Sequence, residues 1–144
     1  GHGLVTQFYA SPEEGKISLA TYQRSADWFL GVPFNISSYG LLLYIIVQEV
    51  NELNSLKDPP GPKYIPGDLI LNFGDIHLYT SHLVPALEQL RRMDKSDKSV
   101  KLEMPPVLGL LSKTGKEFWE MFSYKDFVLH DYNPQTSIKA EMIA

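Results

Sequence analysis

The stretch YQRSADWFLGVPFNISSY, from Tyr22 to Tyr39, is the most constrained part of the chain. It carries an arginine, a serine and a carboxylate, then passes through a glycine and a proline into a long apolar run. We expect Gly31 to Pro33 to break the backbone, because both residue types interrupt regular structure. From Ile36 to Leu53 the apolar spacing predicts a buried helix, with Asn35 or one of the two serines after Ile36 as its cap.

Three side chains in this stretch have the chemistry to bind a pyrimidine nucleotide. Arg24 offers a planar fork of donors that suits phosphate, and the Ser25 hydroxyl can add one more bond. Asn35 offers an acceptor and a donor on one amide, which complements a uracil edge, whereas a cytosine edge suits an aspartic acid. Each residue also has a structural interpretation: an Arg-Ser pair is usually exposed surface, and an asparagine before a helix is usually a cap.

The composition is that of one globular domain without a broad nucleic-acid surface. The chain has 144 residues, 44% of them hydrophobic and 21% charged, which is enough for one core. The net charge of −4 argues against nucleic-acid binding, which needs a basic face. The longest apolar run, Gly40 to Val47, falls short of membrane-spanning length, and no leader segment opens the chain. We therefore expect a cytoplasmic protein that spans no membrane.

The first half of the chain predicts three strands. Leu4 to Ala10 and Lys16 to Gln23 are expected to pair antiparallel across a turn at Ser11 to Gly15. Asp68 to Phe73 predicts the third strand. Between helix and third strand, Asn54 to Gly67 has four prolines and two glycines, which predicts an inserted, exposed loop without regular structure.

The helices complete a predicted α+β fold with a mixed β-sheet, a long buried helix and a second helix. The core face of the long helix is a stripe at helical spacing: Tyr39, Leu42, Leu43, Ile46, Val47 and Val50. Thr80 or Ser81 would cap a second helix that ends near Met93. Beyond it the sequence predicts, in order, a charged loop at Arg91 to Lys101, a strand at Pro105 to Leu111, an aromatic packing cluster at Phe118 to Phe127, a turn at Tyr132 to Pro134 and a strand or tail at Ser137 to Ala144.

Five sequence blocks resemble the thymidylate synthase family and follow the family's order. They are QFY at Gln7 to Tyr9, QRSAD with LGVPFNI at Gln23 to Ile36, PGD at Pro66 to Asp68, GDIHLY at Gly74 to Tyr79 and IKA at Ile138 to Ala140. The blocks run from one end of the chain to the other. The resemblance implies that residues 1–144 form the C-terminal half of a thymidylate synthase-like domain.

The resemblance implies reductive methylation of dUMP, with 5,10-methylenetetrahydrofolate as the co-substrate and no metal. The residues implied to bind dUMP are Gln23, Arg24, Ser25, Asp27, Asn35, His77 and Tyr79. Those implied to contact the folate are Asp27, Gly31 and Ala144. His77 and Tyr79 are two apart, so in an extended segment they share one face, and the pair suits the hydroxyls of a sugar.

The chain contains no cysteine, which excludes disulfides and conflicts with the family's use of a cysteine thiolate as the nucleophile. Depending on the register taken, the position of that cysteine falls on Gly1 or His2. Two hypotheses follow. In the first, the chain is one piece of an enzyme: either a separate N-terminal-half polypeptide and a homodimer-like mate complete it, or it is cut from a longer chain. In the second, it is a non-catalytic nucleotide-binding or interaction module derived from the synthase.

Overall fold

The computed structural model describes residues 3–93, 100–107, 109 and 123–143. Its strands are β1 Gly3–Ser11, β2 Lys16–Asp27, β3 Ile65–His77, β4 Lys101–Glu103 and β5 Val128–His130. Its α-helices are α1 Gly31–Ser55 and α2 Leu83–Arg91. Single 3-10 turns at Thr80–His82 and Tyr124–Asp126 precede α2 and β5.

The main sheet has the order β1-β2-β3 and is mixed, as the sequence predicts. β1 and β2 pair antiparallel, with Phe8 opposite Leu19, whereas β2 and β3 pair parallel, with Leu19 beside Leu69. β2 extends four residues past the predicted end at Gln23, to Asp27. The extension pairs with the end of β3, so backbone bonds to a neighbouring strand, which local sequence does not specify, keep it extended.

Helix α1 packs on one face of the sheet and forms the core with it. Ile17 and Leu19 of β2 meet Leu43 and Val47 of α1, with Tyr64 closing one end. Each such side chain contributes about 1.5–3 kcal/mol when fully buried. The predicted stripe supplies the rest of the helix side: Tyr39, Leu42 and Val50 pack against this cluster.

Two groups of apolar side chains are exposed in the part of the chain that the structure describes. The face of the sheet opposite α1 exposes large side chains from all three strands: Val5, Tyr9, Tyr22 and Ile70. Helix α1 exposes other large apolar side chains along its length: Phe34, Ile36, Tyr44 and Leu53. The expectation of a buried helix therefore holds for one face of α1 only.

Helix α1 begins earlier than predicted, and the expected backbone break at Gly31 to Pro33 is wrong. Gly31 is the first helical residue, and Pro33 lies in the first turn. The first four amides of a helix have no partner within it, so a proline there removes nothing that the helix needs. The predicted caps are also wrong, because the residue preceding the helix is Leu30, and Asn35 lies inside the helix.

The proline-rich insertion is shorter than predicted and is not irregular throughout. Asn54 and Ser55 belong to α1, and β3 starts at Ile65, which leaves residues 56–64 as the loop. Pro66 is the second residue of β3, which is an outer strand among the described residues, and prolines within sheets are confined to such strands or to strand starts and bulges.

By length and composition alone, α1 is apolar enough to cross a membrane, contrary to the expectation that no stretch approaches that length. The difference arises because the helix extends beyond the longest apolar run at both ends. We interpret α1 as a core helix, since it packs on the sheet and buries Glu49 and Asn54 in its last turns.

The later part of the chain is less regular than predicted. Neither Thr80 nor Ser81 caps a helix through its side chain: both lie in a 3-10 turn, and α2 starts at Leu83. Residues 104–107 form no strand, which agrees with two consecutive prolines there. Residues 132–143 have no regular structure, so the predicted turn at Tyr132 to Pro134 is wrong. Of the two alternatives for the end of the chain, residues 137–143 form a tail and not a strand. Phe118, Trp119, Phe122 and most of the charged loop lie outside the described residues.

Candidate functional site

The turn between β2 and α1 is organised by one carboxylate. Oδ1 of Asp27 accepts hydrogen bonds from the backbone amides of Phe29, at 3.0 Å, and Leu30, at 3.4 Å. The amide of Trp28, the residue directly after Asp27, donates to the carbonyl of His77 at 2.8 Å. A short acidic side chain that binds amides two and three residues ahead is typical of a turn that leads into a helix. The end of β2, the start of α1 and the end of β3 are thereby joined at one point.

Gly31 lies between two polar side chains at the first turn of α1. A Cβ added at Gly31 would lie 3.4 Å from Cβ of Asp27 and 4.0 Å from Nδ2 of Asn35. Asn35 is half-buried, and no other described residue is hydrogen-bonded to its side-chain amide. The Asn35 amide therefore lies beside the Asp27 turn with a free donor and a free acceptor. Both groups are needed to form hydrogen bonds with the polar edge of a ligand.

His77 and Tyr79 meet at the end of β3. Their ring centroids are 5.1 Å apart in an edge-to-face arrangement at 77°. Nδ1 of His77 lies 3.2 Å from Oδ2 of Asp75, which orients the imidazole. His77 is also the register neighbour of Asp27, so the ring pair lies next to the turn that Asp27 organises.

The remaining predicted residues lie on β2, but on both of its faces. Ser25 is paired with Asp75 and shares a face with Asp27, because side chains two apart on a strand point the same way. Gln23 is buried on that face and donates from Nε2 to the carbonyl of Ser25 at 3.2 Å. Arg24 is exposed, and alternation directs it to the opposite face. The structure therefore does not bring the guanidinium and the Ser25 hydroxyl together.

A cavity of about 820 Å³ adjoins the turn. One wall comes from the turn and the start of α1, a second from α2, and a third from the tail. Its lining includes Leu30, Phe34, Arg92, Tyr132 and Ile138. This volume lies in the range of ligand sites, and a mostly apolar lining with a few polar groups is typical of them.

The sequence model of the thymidylate synthase family matches residues 3–144 of this chain. The chain belongs to the thymidylate synthase family. The match covers all five blocks on which the resemblance was drawn, and the mixed sheet with two helices is consistent with the fold of that family. Members of this family in general bind dUMP and use methylenetetrahydrofolate as a co-substrate.

One residue beside the candidate site of this thymidylate synthase family member was not identified from the sequence. His82 is fully buried, and its ring contacts those of Phe29 and Tyr79, both at 5.5 Å between centroids. The segment Thr80 to His82 was interpreted only as the start of a helix. A histidine five residues after His77 in the GDIHLY block was the available signal, but its contacts come from distant parts of the chain.

Three of the predicted positions lie outside the described residues: Gly1 and His2, where the family's nucleophile would fall, and Ala144, expected at the folate. In the described ranges, no three histidine, aspartate or glutamate side chains lie close enough to hold a metal ion.

Proposed function

We propose that this chain provides the nucleotide-binding part of a thymidylate synthase, which methylates dUMP reductively with 5,10-methylenetetrahydrofolate. The observation that carries the proposal is that Asn35 and His77 both lie beside Asp27, with Tyr79 in contact with His77. A carboxylate, a free amide and an imidazole–phenol pair at one end of a sheet match the polar edge of a base and the hydroxyls of a sugar.

Each group has a separate task in this proposal. The Asn35 amide donates to one uracil carbonyl and accepts from the ring N–H, which orients the base. His77 and Tyr79 hold the sugar, and Asp75 fixes the imidazole by its contact at 3.2 Å. Ser25 binds the phosphate from the same face of β2 as Asp27. The Arg24 guanidinium neutralises the negative charge of the phosphate only if its long side chain reaches around β2 from the opposite face. The contributions of Ser25 and Arg24 are therefore to be measured in separate variants.

The folate is proposed to enter the cavity beside Gly31. Phe34 and Leu30 offer apolar walls for its aromatic rings, and the tail forms the opposite side. Enclosure by the tail excludes water from the reacting carbon. Asp27 and Gly31 lie where the base and the folate would meet.

The nucleophile has to come from outside these 144 residues, because they contain no cysteine. We propose that a polypeptide with the family's thiol covers the exposed apolar side chains of α1, and that a second copy covers the open sheet face. A cytoplasmic location and a single domain over residues 1–144 stay predictions.

The decisive experiment measures nucleotide binding and turnover in turn. Calorimetry of the full chain, alone and with a thiol-bearing N-terminal half of a family member, is expected to show dUMP binding that exceeds dCMP binding. The mixture is then expected to release tritium from the 5-position of labelled dUMP. Absence of dUMP binding by the mixture contradicts the proposal.

The second candidate is a nucleotide-binding or interaction module without catalysis. The absent cysteine favours it. It predicts that dUMP binds but that no complementing polypeptide restores tritium release. Asn35→Ala separates both candidates from non-specific binding, because only a specific site loses dUMP affinity while Asn72→Ala, on the open sheet face, leaves it unchanged.

A further inference from the structure

His82 is buried beside the proposed site, and none of the roles given above uses it. Its exposed fraction is 0%. The ring lies between Phe29, in the turn, and Tyr79, in the proposed sugar pair. A buried polar ring normally satisfies both nitrogens, so the partners of each nitrogen indicate what the residue does.

One nitrogen holds the C-terminal segment, which we define as residues 131–143. Nε2 of His82 lies 2.7 Å from the carbonyl oxygen of Glu141. A carbonyl oxygen can only accept, so Nε2 carries the hydrogen and donates it. This bond joins residues 59 positions apart, and its donor is buried.

Two other side-chain hydrogen bonds tie the segment to α2. Nη1 of Arg92 donates to the carbonyl of Thr136 at 2.6 Å, and Nε2 of Gln135 donates to the carbonyl of Arg92 at 3.3 Å. Both are exposed, where water competes for the same groups. The bond from His82 is part-buried and its donor is fully buried, so water competes with it less than with the two exposed bonds.

The other nitrogen faces the nucleotide-binding turn. Nδ1 of His82 lies 3.8 Å from Oδ1 of Asp27, and no described residue forms a hydrogen bond with it. Oδ1 is the atom that already accepts from the amides of Phe29 and Leu30. The His82 imidazole therefore lies between the Asp27 turn and the C-terminal segment.

We propose that His82 is a positioning residue that docks the C-terminal segment against the nucleotide-binding turn. The segment forms one wall of the cavity, from Asp131 to Thr136 and at Ile138. Docking by His82 thus shapes the wall against which a ligand in the cavity would lie. The docking itself is independent of the proposed function; its consequence for folate binding rests on that function.

The test uses a single spin label on the full chain. Because the chain has no cysteine, Met142→Cys gives one labelling site, next to Glu141 and exposed. In this background His82→Gln places an amide nitrogen near the position of Nε2, whereas His82→Asn is too short to reach the Glu141 carbonyl. His130→Asn is the matched control, since His130 is exposed and pairs with Glu103.

The expected result is a rise of about tenfold in the mobile fraction of the label in His82→Asn, as loss of a buried hydrogen bond predicts. His82→Gln and His130→Asn are expected to keep the mobility of the parent. An immobile label in His82→Asn overturns the proposal. So does equal mobility in the Gln and Asn variants, because it would assign the effect to ring packing.

A measurement on the unmodified chain keeps the test decisive if His82→Asn does not fold. Long-range ¹H–¹⁵N spectra are expected to show His82 protonated at Nε2, with that proton protected from exchange. An Nδ1-protonated neutral ring overturns the proposal.

The functional consequence has its own readout in the complemented enzyme. His82→Asn is expected to lower kcat/KM for the folate about tenfold relative to His82→Gln, which keeps a donor near the position of Nε2. Equal folate kinetics in the variant and the parent overturn the proposed consequence. Failure of the parent protein to bind dUMP counts against the proposed function instead. The docking by His82 is still tested in that case, because the spin-label measurement needs no nucleotide.

Discussion

At the residue scale, substrate choice depends on the chemistry of Asn35. Its amide presents both a donor and an acceptor, and no described residue occupies either. Replacement by Asp is expected to lower dUMP affinity by about tenfold or more, because a carboxylate meets a uracil carbonyl acceptor to acceptor. The same variant is expected to gain affinity for dCMP, whose amino group donates. Calorimetry with both nucleotides measures the exchange.

The matched control for this exchange is Asn72→Asp, which adds the same charge on the open sheet face. It is expected to leave both affinities unchanged. If Asn35→Asp and Asn72→Asp shift dUMP and dCMP binding alike, net charge is responsible and the amide reads no base edge.

Sequence reasoning at this scale succeeded where neighbours in the chain are neighbours in space. The contact between His77 and Tyr79 follows from their spacing at a strand end. The separation of Arg24 from Ser25 was missed because the motif was read as a string, without the alternation that an extended β2 imposes. His82 was missed because its hydrogen-bond acceptor is 59 residues away.

At the scale of elements, the start of α1 depends on Asp27 more than on any residue within the helix. Asp27→Ala removes the acceptor of two amides and is expected to lower the free energy of unfolding by about 1 kcal/mol, as the loss of a cap does. Urea denaturation measures the change. Asp68→Ala, at an exposed carboxylate on β3, is the control, and equal losses in the two variants would contradict this role.

The loop at residues 56–64 is anchored to α1 by asparagines. Asn51 accepts from the amide of Tyr64 at 2.7 Å and donates to its carbonyl at 2.8 Å, while Asn54 donates to the carbonyl of Pro62 at 2.7 Å. Proline content alone indicates irregular backbone, but it does not indicate whether that backbone is held. Here two asparagine side chains of α1 hold the backbone of the loop, which forms no strand.

Asn51→Ala is therefore expected to lower the free energy of unfolding by about 1–3 kcal/mol, because it leaves buried backbone groups of Tyr64 without partners. Thermal and urea unfolding both measure it. Ser55→Ala, which removes one exposed bond at the end of α1, is the control. A loss no greater than in that control would mean that the loop is not held by Asn51.

At the scale of the whole molecule, the open sheet face is the surface proposed to meet a second copy. Ile70 lies on this face and is 48% exposed. Ile70→Lys is expected to weaken self-association about tenfold or more, because the charge would be buried without a partner. Sedimentation over a range of concentrations measures it. Val84→Lys, on α2 and 77% exposed, is expected to have no effect. Equal association of both variants contradicts the proposed interface.

The sequence predicted the architecture at this scale better than the boundaries. Alternation and apolar spacing identified β2, β3 and α1, since each contributes side chains to a common core. β1 alternates only weakly, and its side chains at residues 5–10 are exposed. The ends of β2 and α1 were misplaced because pairing with β3 and the Asp27 turn set them. The irregular backbone at residues 104–107 was mistaken for a strand because apolar content was weighed above two consecutive prolines.

The order β1-β2-β3 leaves the outer strands, nine and thirteen residues long, with unpaired amides and carbonyls along one side each among the described residues. Exposed strand edges of this kind, here called rims, can form backbone hydrogen bonds with strands of other chains. Recombinant production of the isolated polypeptide should accordingly favour insoluble deposits, and co-expression with a fragment that caps those rims should raise the soluble yield.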